Sequence, residues 1–246
     1  MNKIKILYLI VFLAFTGKST AQEETIFLSG EAHAVAGYMP WKSFKDFRKE
    51  YNILNSESLA NELGSLSPQY GYDIGLDCFI SNHLYCSVDW MSTNARTHAK
   101  FDNDSKRLIQ FKSNIINTNI GWLQATTSGY WTLTTGFSGA FGTLKSFIEF
   151  PDGTRYHHTA GLSGEFHDVN IGLSLNFEWN RKLSEKLYWR SGIAGNFFFE
   201  TTDLGMQNAF VTQTAGSLAL NNTQVNFDIS GLSVYTGLAY KIFIND

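Results

Sequence analysis

Residues Tyr70 to Trp90, YGYDIGLDCFISNHLYCSVDW, decide the fold. Tyr72, Ile74, Leu76, Cys78 and Ile80 alternate with Gly71, Asp73, Gly75, Asp77 and Phe79. After Ser81-Asn82-His83 the pattern resumes, with Leu84, Cys86, Val88 and Trp90 against Tyr85, Ser87 and Asp89. A period of two marks strands, and a short polar break between two such runs makes a hairpin. One face is apolar and the other is largely glycine, serine and aspartate. The second face cannot form the packed core of a soluble sandwich. It suits the polar inside of a barrel whose outside meets lipid.

The rest of the chain repeats this design. In a first strand, Ile26, Leu28, Ala32, Ala34, Ala36 and Tyr38 alternate with Ser29, Glu31, His33 and Gly37. The hairpin from Tyr70 supplies strands two and three, ending at a tip near Asp102-Asn103-Asp104. Strand four covers Arg107 to Leu123, with Ile116, Thr118, Ile120 and Trp122 opposed to Asn117, Asn119 and Gly121. Strand five sets Trp131, Leu133, Thr135 and Phe137 against Thr132, Thr134, Gly136 and Ser138, and continues to Phe150. There Pro151-Asp152-Gly153 signals a turn. Strand six returns from about Arg155 and ends with Ile171, Leu173, Leu175, Phe177 and Trp179 facing out. Strand seven begins at Leu187, and strand eight spans Gly231 to Ile242.

The connections differ in length. Gln124–Ser128 and Asn180–Lys186 read as short turns, Trp41–Pro68 and Thr201–Asn226 as long loops. Trp41, Phe44, Phe47 and Tyr51 recur at helical spacing, and Ser58 to Leu63 is compatible with a further helical turn or two. The favoured reading of Trp41–Pro68 is nevertheless a loop whose aromatics rest on a barrel rim.

Lys3 and Lys5 precede the apolar run Ile6 to Phe15, and the small-residue site Ser19-Thr20-Ala21 follows. This is the pattern of a signal peptide over residues 1–21, which leaves one domain over residues 22–246. About ten apolar residues fall short of the ~20 that a spanning helix needs. An exported chain that stays in a membrane must then do so as a closed barrel. The net charge of -3 and the lack of a basic stripe exclude a nucleic-acid partner.

Eight strands with alternating long and short connections predict an all-β fold. It is an antiparallel eight-stranded transmembrane up-and-down β-barrel with periplasmic termini and long extracellular loops. Trp122 and Trp131 flank one short turn, and Trp179 and Trp189 flank another, where an aromatic girdle would meet the inner interface.

In the last strand Tyr235, Gly237, Tyr240 and Ile242 follow the order polar, any, Gly, two of any kind, aromatic, any, apolar. Here, and in its strand pattern from Ile26 to Phe243, the chain resembles the small outer-membrane barrels. That group includes the OmpA transmembrane domain and OmpX, and it is found also in many Bacteroidota. The resemblance implies insertion into outer-membrane lipid and recognition of the terminal pattern by the barrel-assembly machinery. It carries no catalytic residues, and a monomer is expected. One departure is that the chain ends Ile244-Asn245-Asp246 rather than on Phe.

Reactive motifs are missing: there is no G-x-S-x-G, H-E-x-x-H, P-loop or C-x-x-C. No cofactor or metal is expected. His157-His158, adjacent in a strand, would point to opposite faces and could not chelate one ion together. Two enzyme groups also use eight-stranded barrels. No histidine stands two residues before a serine, as in the lipid A deacylases, and Asp104-Ser105 with His33 resembles the palmitoyltransferase pattern only loosely. The expected role is therefore non-enzymatic: envelope structure, or adhesion and binding of an extracellular protein or surface ligand. The strand pairs flanking 102–104 and 151–153 are longer than the ~9–11 residues of a span. They should project as ribbons with open edges, ready to pair with another strand. The alternative is a lipid-modifying enzyme or small transporter, which needs an apolar lumen with a lateral gap.

Turn parity makes two sets of neighbours. It pairs Cys78 with Cys86 on the lipid side, with Cα atoms about 4.5–5.5 Å apart. That spacing permits a disulfide in an oxidising compartment, with two free thiols as the alternative. It also sets Asp89 opposite Gly75 in the lumen, with Asp73 and Asp77 diagonal to it. Such close carboxylates cannot all stay charged without cations beside them. Arg190 has lumen parity and lies two positions from the residue facing Glu178. A polar plug of Asp73, Asp77, Asp89, Glu178 and Arg190 is expected, against the alternative of an acid-lined cation pathway.

Overall fold

The computed structural model describes residues 27–81, 83–156, 164–199 and 229–242. The signal-peptide reading of residues 1–21, His157-His158, the loop Thr201–Asn226 and the terminal Phe243 lie outside them. The strands are β1 (Phe27–Tyr38), β2 (Leu59–Asn61), β3 (Gln69–Phe79), β4 (Leu84–Phe101), β5 (Lys106–Thr126) and β6 (Gly129–Glu149). They continue with β7 (Arg155–Tyr156), β8 (Gly164–Lys182), β9 (Leu187–Phe198) and β10 (Gly231–Ile242), and one helix, α1, covers Lys42–Leu54.

Eight of these strands form an antiparallel hydrogen-bonded ring: β1, β3, β4, β5, β6, β8, β9 and β10. Each pairs with the next along the chain. The last returns to the first, with Leu28 opposite Ile242 and Tyr38 opposite Leu232. Alternation of the pleat then sorts the side chains. Leu76 (58 % exposed), Phe137 (67 %) and Ile171 (67 %) point outward, while Asp77 and Arg190 are fully buried inside. The architecture is barrel-like, with its apolar face outside and a charged interior.

At one end, the turn end, the connections are tight. Thr126 pairs with Gly129, so Thr127 and Ser128 alone make the bend. The break expected over Gln124–Ser128 is thus mostly strand, because Gln124 and Ala125 pair with Trp131 and Tyr130. Likewise β8 runs on to Lys182, three residues into the turn expected over Asn180–Lys186. The sixth expected strand is also divided, since Arg155–Tyr156 and Gly164–Lys182 are separate elements.

The other end, the loop end, departs further from expectation. Trp41–Pro68 is not a simple loop: α1 occupies its first half. Trp41, Phe44, Phe47 and Tyr51 are all buried, and Trp41 meets Phe111 at 5.1 Å between ring centroids. A 13-residue helix is marginal by itself in water. Burying each large apolar side chain contributes roughly 1.5–3 kcal/mol, and that contact with Ile109, Phe111 and Leu144 holds the helix. Asn52 fastens the return segment, accepting from Leu63 N at 2.8 Å and donating to its carbonyl at 3.2 Å. The helical turn considered for Ser58 to Leu63 is instead the strand β2, paired with the end of β4 at Leu59 and Phe101.

The projecting ribbons are likewise corrected. Beyond the level where β3 leaves β4, at Tyr70 and Asn94, the strands β4, β5, β6 and β8 stay hydrogen-bonded as one sheet. One face of that sheet is covered by α1. Its β4 edge carries β2, and β7 pairs with the end of β6. The sequence carries the strand pattern of two hairpins, but their lateral pairing depends on contacts distant along the chain.

At the two hairpin tips, polar groups set the turns. Asp104 takes φ 64°, a left-handed conformation that Asp tolerates, and pairs with Lys100 at 2.7 Å. The hydrogen bond and the charge of Lys100 hold this carboxyl below its ordinary range. Asp152 is lowered in the same way by hydrogen bonds from the Thr154 hydroxyl and amide.

Candidate functional site

The ring interior has three levels. In the middle, Arg190 from β9 is fully buried among acidic groups from other strands. Its Nη1 pairs with Glu31 Oε2 and lies 3.7 Å from Glu178 Oε2, and its Nη2 lies 2.7 Å from Asp77 Oδ2. Nε donates to Asn180 Oδ1 at 2.5 Å, while the two Nη groups also donate to the hydroxyls of Tyr85 and Tyr130. Every arm of the guanidinium is engaged, an arrangement that its planar fork favours.

The acidic groups have further partners. Tyr85 donates to Asp77 Oδ1, and Glu178 accepts from Tyr235 at 2.7 Å and from Thr132 at 2.9 Å. Asp89 Oδ2 accepts from Ser87 at 2.9 Å and Asn119 at 2.8 Å. His33 stands between Asp73 Oδ2, at 3.2 Å from Nδ1, and Glu31 Oε2, at 3.5 Å from Nε2. All five residues of the expected plug face the interior. Arg190 joins Asp77 and Glu178 directly; Asp73 and Asp89 are held by His33 and by neutral donors instead.

Sequence reasoning missed Glu31, His33, Tyr85, Tyr130 and Asn180. The first two have inward parity on β1, and that signal could have found them. The tyrosines read as apolar bulk in a sequence, although their hydroxyls here reach the buried charges.

Apolar side chains lie above and below this level. Phe79, Tyr85, Leu123, Tyr130, Tyr188 and Ala239 fill the turn end. The buried face of α1 closes on the sheet at the loop end. Burial raises the Tyr51 hydroxyl above its ordinary value there, opposed by the charge and hydrogen bond of Arg107. Between α1 and the centre, a void of about 10 Å³ bordered by Met91, Thr93 and Ser113 has room for about one water.

The other residues singled out in the sequence lie on the walls. Cys78 and Cys86 are directly opposite in the β3–β4 register, as free thiols. Trp122 and Trp131 meet edge to face at 4.9 Å on the outside near the turn end. Trp179 pairs in register with Trp131, and Trp189 with Arg181. Toward the loop end, Tyr38, Tyr70, Tyr72 and Trp90 form a second outward aromatic group that the sequence reading did not identify. In β10, Tyr240 and Ile242 face out, while Tyr235 is a buried member of the interior network. Gly237 permits close approach to β1, because a Cβ there would lie 2.0 Å from Ala32 O.

His33 and Asp104-Ser105 are not brought together. His33 is level with Met91 of β4 through Asp73, whereas Asp104 follows the far end of that strand. At ~3.3 Å per residue the two levels are roughly 30 Å apart. A surface cavity of about 360 Å³ lies beside α1, bordered by Lys42, Lys45, Arg48, Trp41, Leu66 and Ser67.

No protein-family model and no curated protein sequence matches the chain. Among solved structures, OprG of Pseudomonas aeruginosa, an outer membrane protein, aligns with 90% of this chain and 98% of its own. Its TM-score is 0.52 at 11% identity. The fold resembles that of this outer-membrane protein. Ail, the attachment invasion locus protein of Yersinia pestis, covers 90% of this chain and 100% of its own at 7% identity, with a TM-score of 0.43. Neisserial surface protein A aligns with 88% and 97%, at 11% identity and a TM-score of 0.33.

Proposed function

We propose that this protein is a non-enzymatic outer-membrane barrel that presents a structured loop end at the cell surface. The observation that carries the reading is the inverted distribution of side chains: apolar residues outside the whole ring, charged ones within. From the level of Trp122, opposite Leu84, to that of Tyr70, opposite Asn94, is about ten residues of β4. With a rise of ~3.3 Å and a tilt of ~40°, this gives an apolar band roughly 25 Å tall between two aromatic belts, the height of an outer-membrane span. The tryptophan belt at the turn end would lie at the periplasmic interface. Tyr235, Gly237, Tyr240 and Ile242 would serve as the assembly signal.

A filled interior with a charged centre and eight unbroken strand pairings support this role over a lipid-modifying enzyme, which would need an open apolar chamber and a lateral gap. The sheet of β4, β5, β6 and β8, topped by α1, is then an extracellular platform for envelope contacts or a surface partner. Lys42, Lys45 and Arg48 beside the 360 Å³ cavity make that part of the platform favour anionic groups.

The test is protease access in intact cells. A cleavage sequence inserted at Asn103 should be cut, and one at Ser128 should be spared until the outer membrane is permeabilised. The reverse result would invert the orientation, and recovery of the protein in the soluble fraction would overturn the reading.

A further inference from the structure

Gly75 on β3 is the centre of a cross of carboxylates. Asp73 and Asp77 flank it along its own strand on the inner face. Glu31 stands opposite it on β1, and Asp89 opposite it on β4. With no side chain at Gly75, the two cross-strand carboxylates lean over it. A Cβ there would lie 2.5 Å from both Asp89 Oδ1 and Glu31 Oε1.

The cations at this level are too few. Glu31, Asp73, Asp77, Asp89 and Glu178 are buried with Arg190 and His33. Five carboxyl groups thus face two side chains able to carry positive charge, an excess of three among the described residues. Arg190 is committed to Glu31 Oε2 and Asp77 Oδ2, as ion pairs rather than well-directed hydrogen bonds. Asp89 has no cationic partner among the described residues, and only neutral donors reach its Oδ2. Its Oδ1 is buried with no hydrogen-bond partner and aims at the space over Gly75; Asp73 Oδ1 is buried and unpartnered as well. A buried carboxylate oxygen without a partner is unfavourable, and a bound cation would satisfy it.

Two groups have the compactness of a metal site, with one ligand atom from each member within 4.8 Å of the others. They are Glu31–His33–Asp73 and Glu31–Asp77–Asp89. In the first, the two imidazole nitrogens already face the two carboxylates, at 3.5 Å and 3.2 Å. The second has oxygen donors alone: Arg190 pairs with its Glu31 and Asp77 members and leaves Asp89 Oδ1 without a partner. Oxygens within 4.8 Å of one another fit around an ion with Ca–O distances of about 2.3–2.6 Å.

The geometry points to a calcium-type site over Gly75, in which Glu31, Asp77 and Asp89 share one hard divalent cation and Asp73 adds charge beside it. Calcium suits donors fixed by three different strands, because it accepts irregular oxygen shells completed by water. Magnesium demands near-octahedral geometry and is the poorer fit. The ion would join β1, β3 and β4 within the ring.

The test uses the full-length protein in detergent micelles, stripped with chelator and then supplied with calcium or magnesium chloride. Calcium at about a hundred times its dissociation constant should raise the unfolding temperature by roughly 5–10 °C. Magnesium should do less, and equilibrium dialysis should find one calcium per chain. Asp89→Asn keeps the side chain's size and removes its charge; Gly75→Ala puts a methyl group where the two carboxylates converge. Both variants should lose the calcium response. An unfolding temperature of the natural protein that is indifferent to calcium overturns the site, as does an undiminished response in folded Asp89→Asn. If neither variant folds, the calcium count of the natural protein decides: none bound overturns the proposal.

Discussion

Arg190 on β9 and Asp77 on β3 stand three strands apart around the ring, yet Nη2 of the one lies 2.7 Å from Oδ2 of the other. The same guanidinium reaches Glu31 on β1 and Glu178 on β8. One side chain therefore ties β1 and β3, which share no backbone hydrogen bonds with its own strand, to the neighbouring β8, which does. Removing it takes the guanidinium from three buried carboxyl groups at once.

Arg190→Leu should accordingly lower stability by about 3–5 kcal/mol, the cost of breaking a buried ion pair from one side. In a chain of this size that corresponds to a fall of roughly 6–20 °C in unfolding temperature, read by circular dichroism in detergent. Arg190→Lys should recover only a part, because an ammonium cannot reproduce the fork that also reaches Asn180, Tyr85 and Tyr130. A Leu variant as stable as the natural protein would show that the network adds nothing to the fold.

Purified protein in planar lipid bilayers should show no steady conductance. Aromatic residues close the turn end, α1 closes the loop end, and Arg190 fills the centre. An eight-stranded ring is just wide enough for its side chains to fill it. A steady cation-selective current abolished by Asp89→Asn would replace the plug with an acid-lined pathway.

Cys78 and Cys86 should both react with a maleimide after denaturation without reductant, since they face each other as free thiols. Cross-strand bridges between directly opposite residues are strained, and the loop one would close here is short, so oxidation offers modest stabilisation. Labelling that appears only after reduction would mean that the pair is oxidised in the cell envelope.

Phe47→Ala removes a 1 % exposed ring from the underside of α1 and should cost about 3–5 kcal/mol in local packing. The effect belongs to the helix rather than to the ring of strands. Trypsin should then cut quickly at Lys42, Lys45, Arg48 or Lys49, with the unfolding temperature of the barrel little changed. Equal resistance of the variant and the natural protein would show that α1 does not depend on this contact.

Strand identity, the inward or outward direction of side chains, and the register of the central hairpin were legible in the sequence. All three follow from a period of two, which is local, and a one-residue slip would turn every apolar side chain inward. Hence Ile74 with Trp90, Cys78 with Cys86 and Gly75 with Asp89 are paired as turn parity predicts. Parity also places Asp73, Asp77, Asp89, Glu178 and Arg190 inside. Parity says nothing about distance across a ring. Whether Arg190 meets Asp89 or Asp77 depends on strand stagger and on the reach of a long side chain, and these follow only from closing β10 onto β1. The same holds at the loop end. Trp41, Phe44, Phe47 and Tyr51 have helical spacing in the sequence, but a short helix is stabilised mainly by the surface it covers. That surface, with Ile109, Phe111 and Leu144, comes from strands far along the chain. The alternating pattern determined what the wall is made of; tertiary packing decided what fills it and what lies on top.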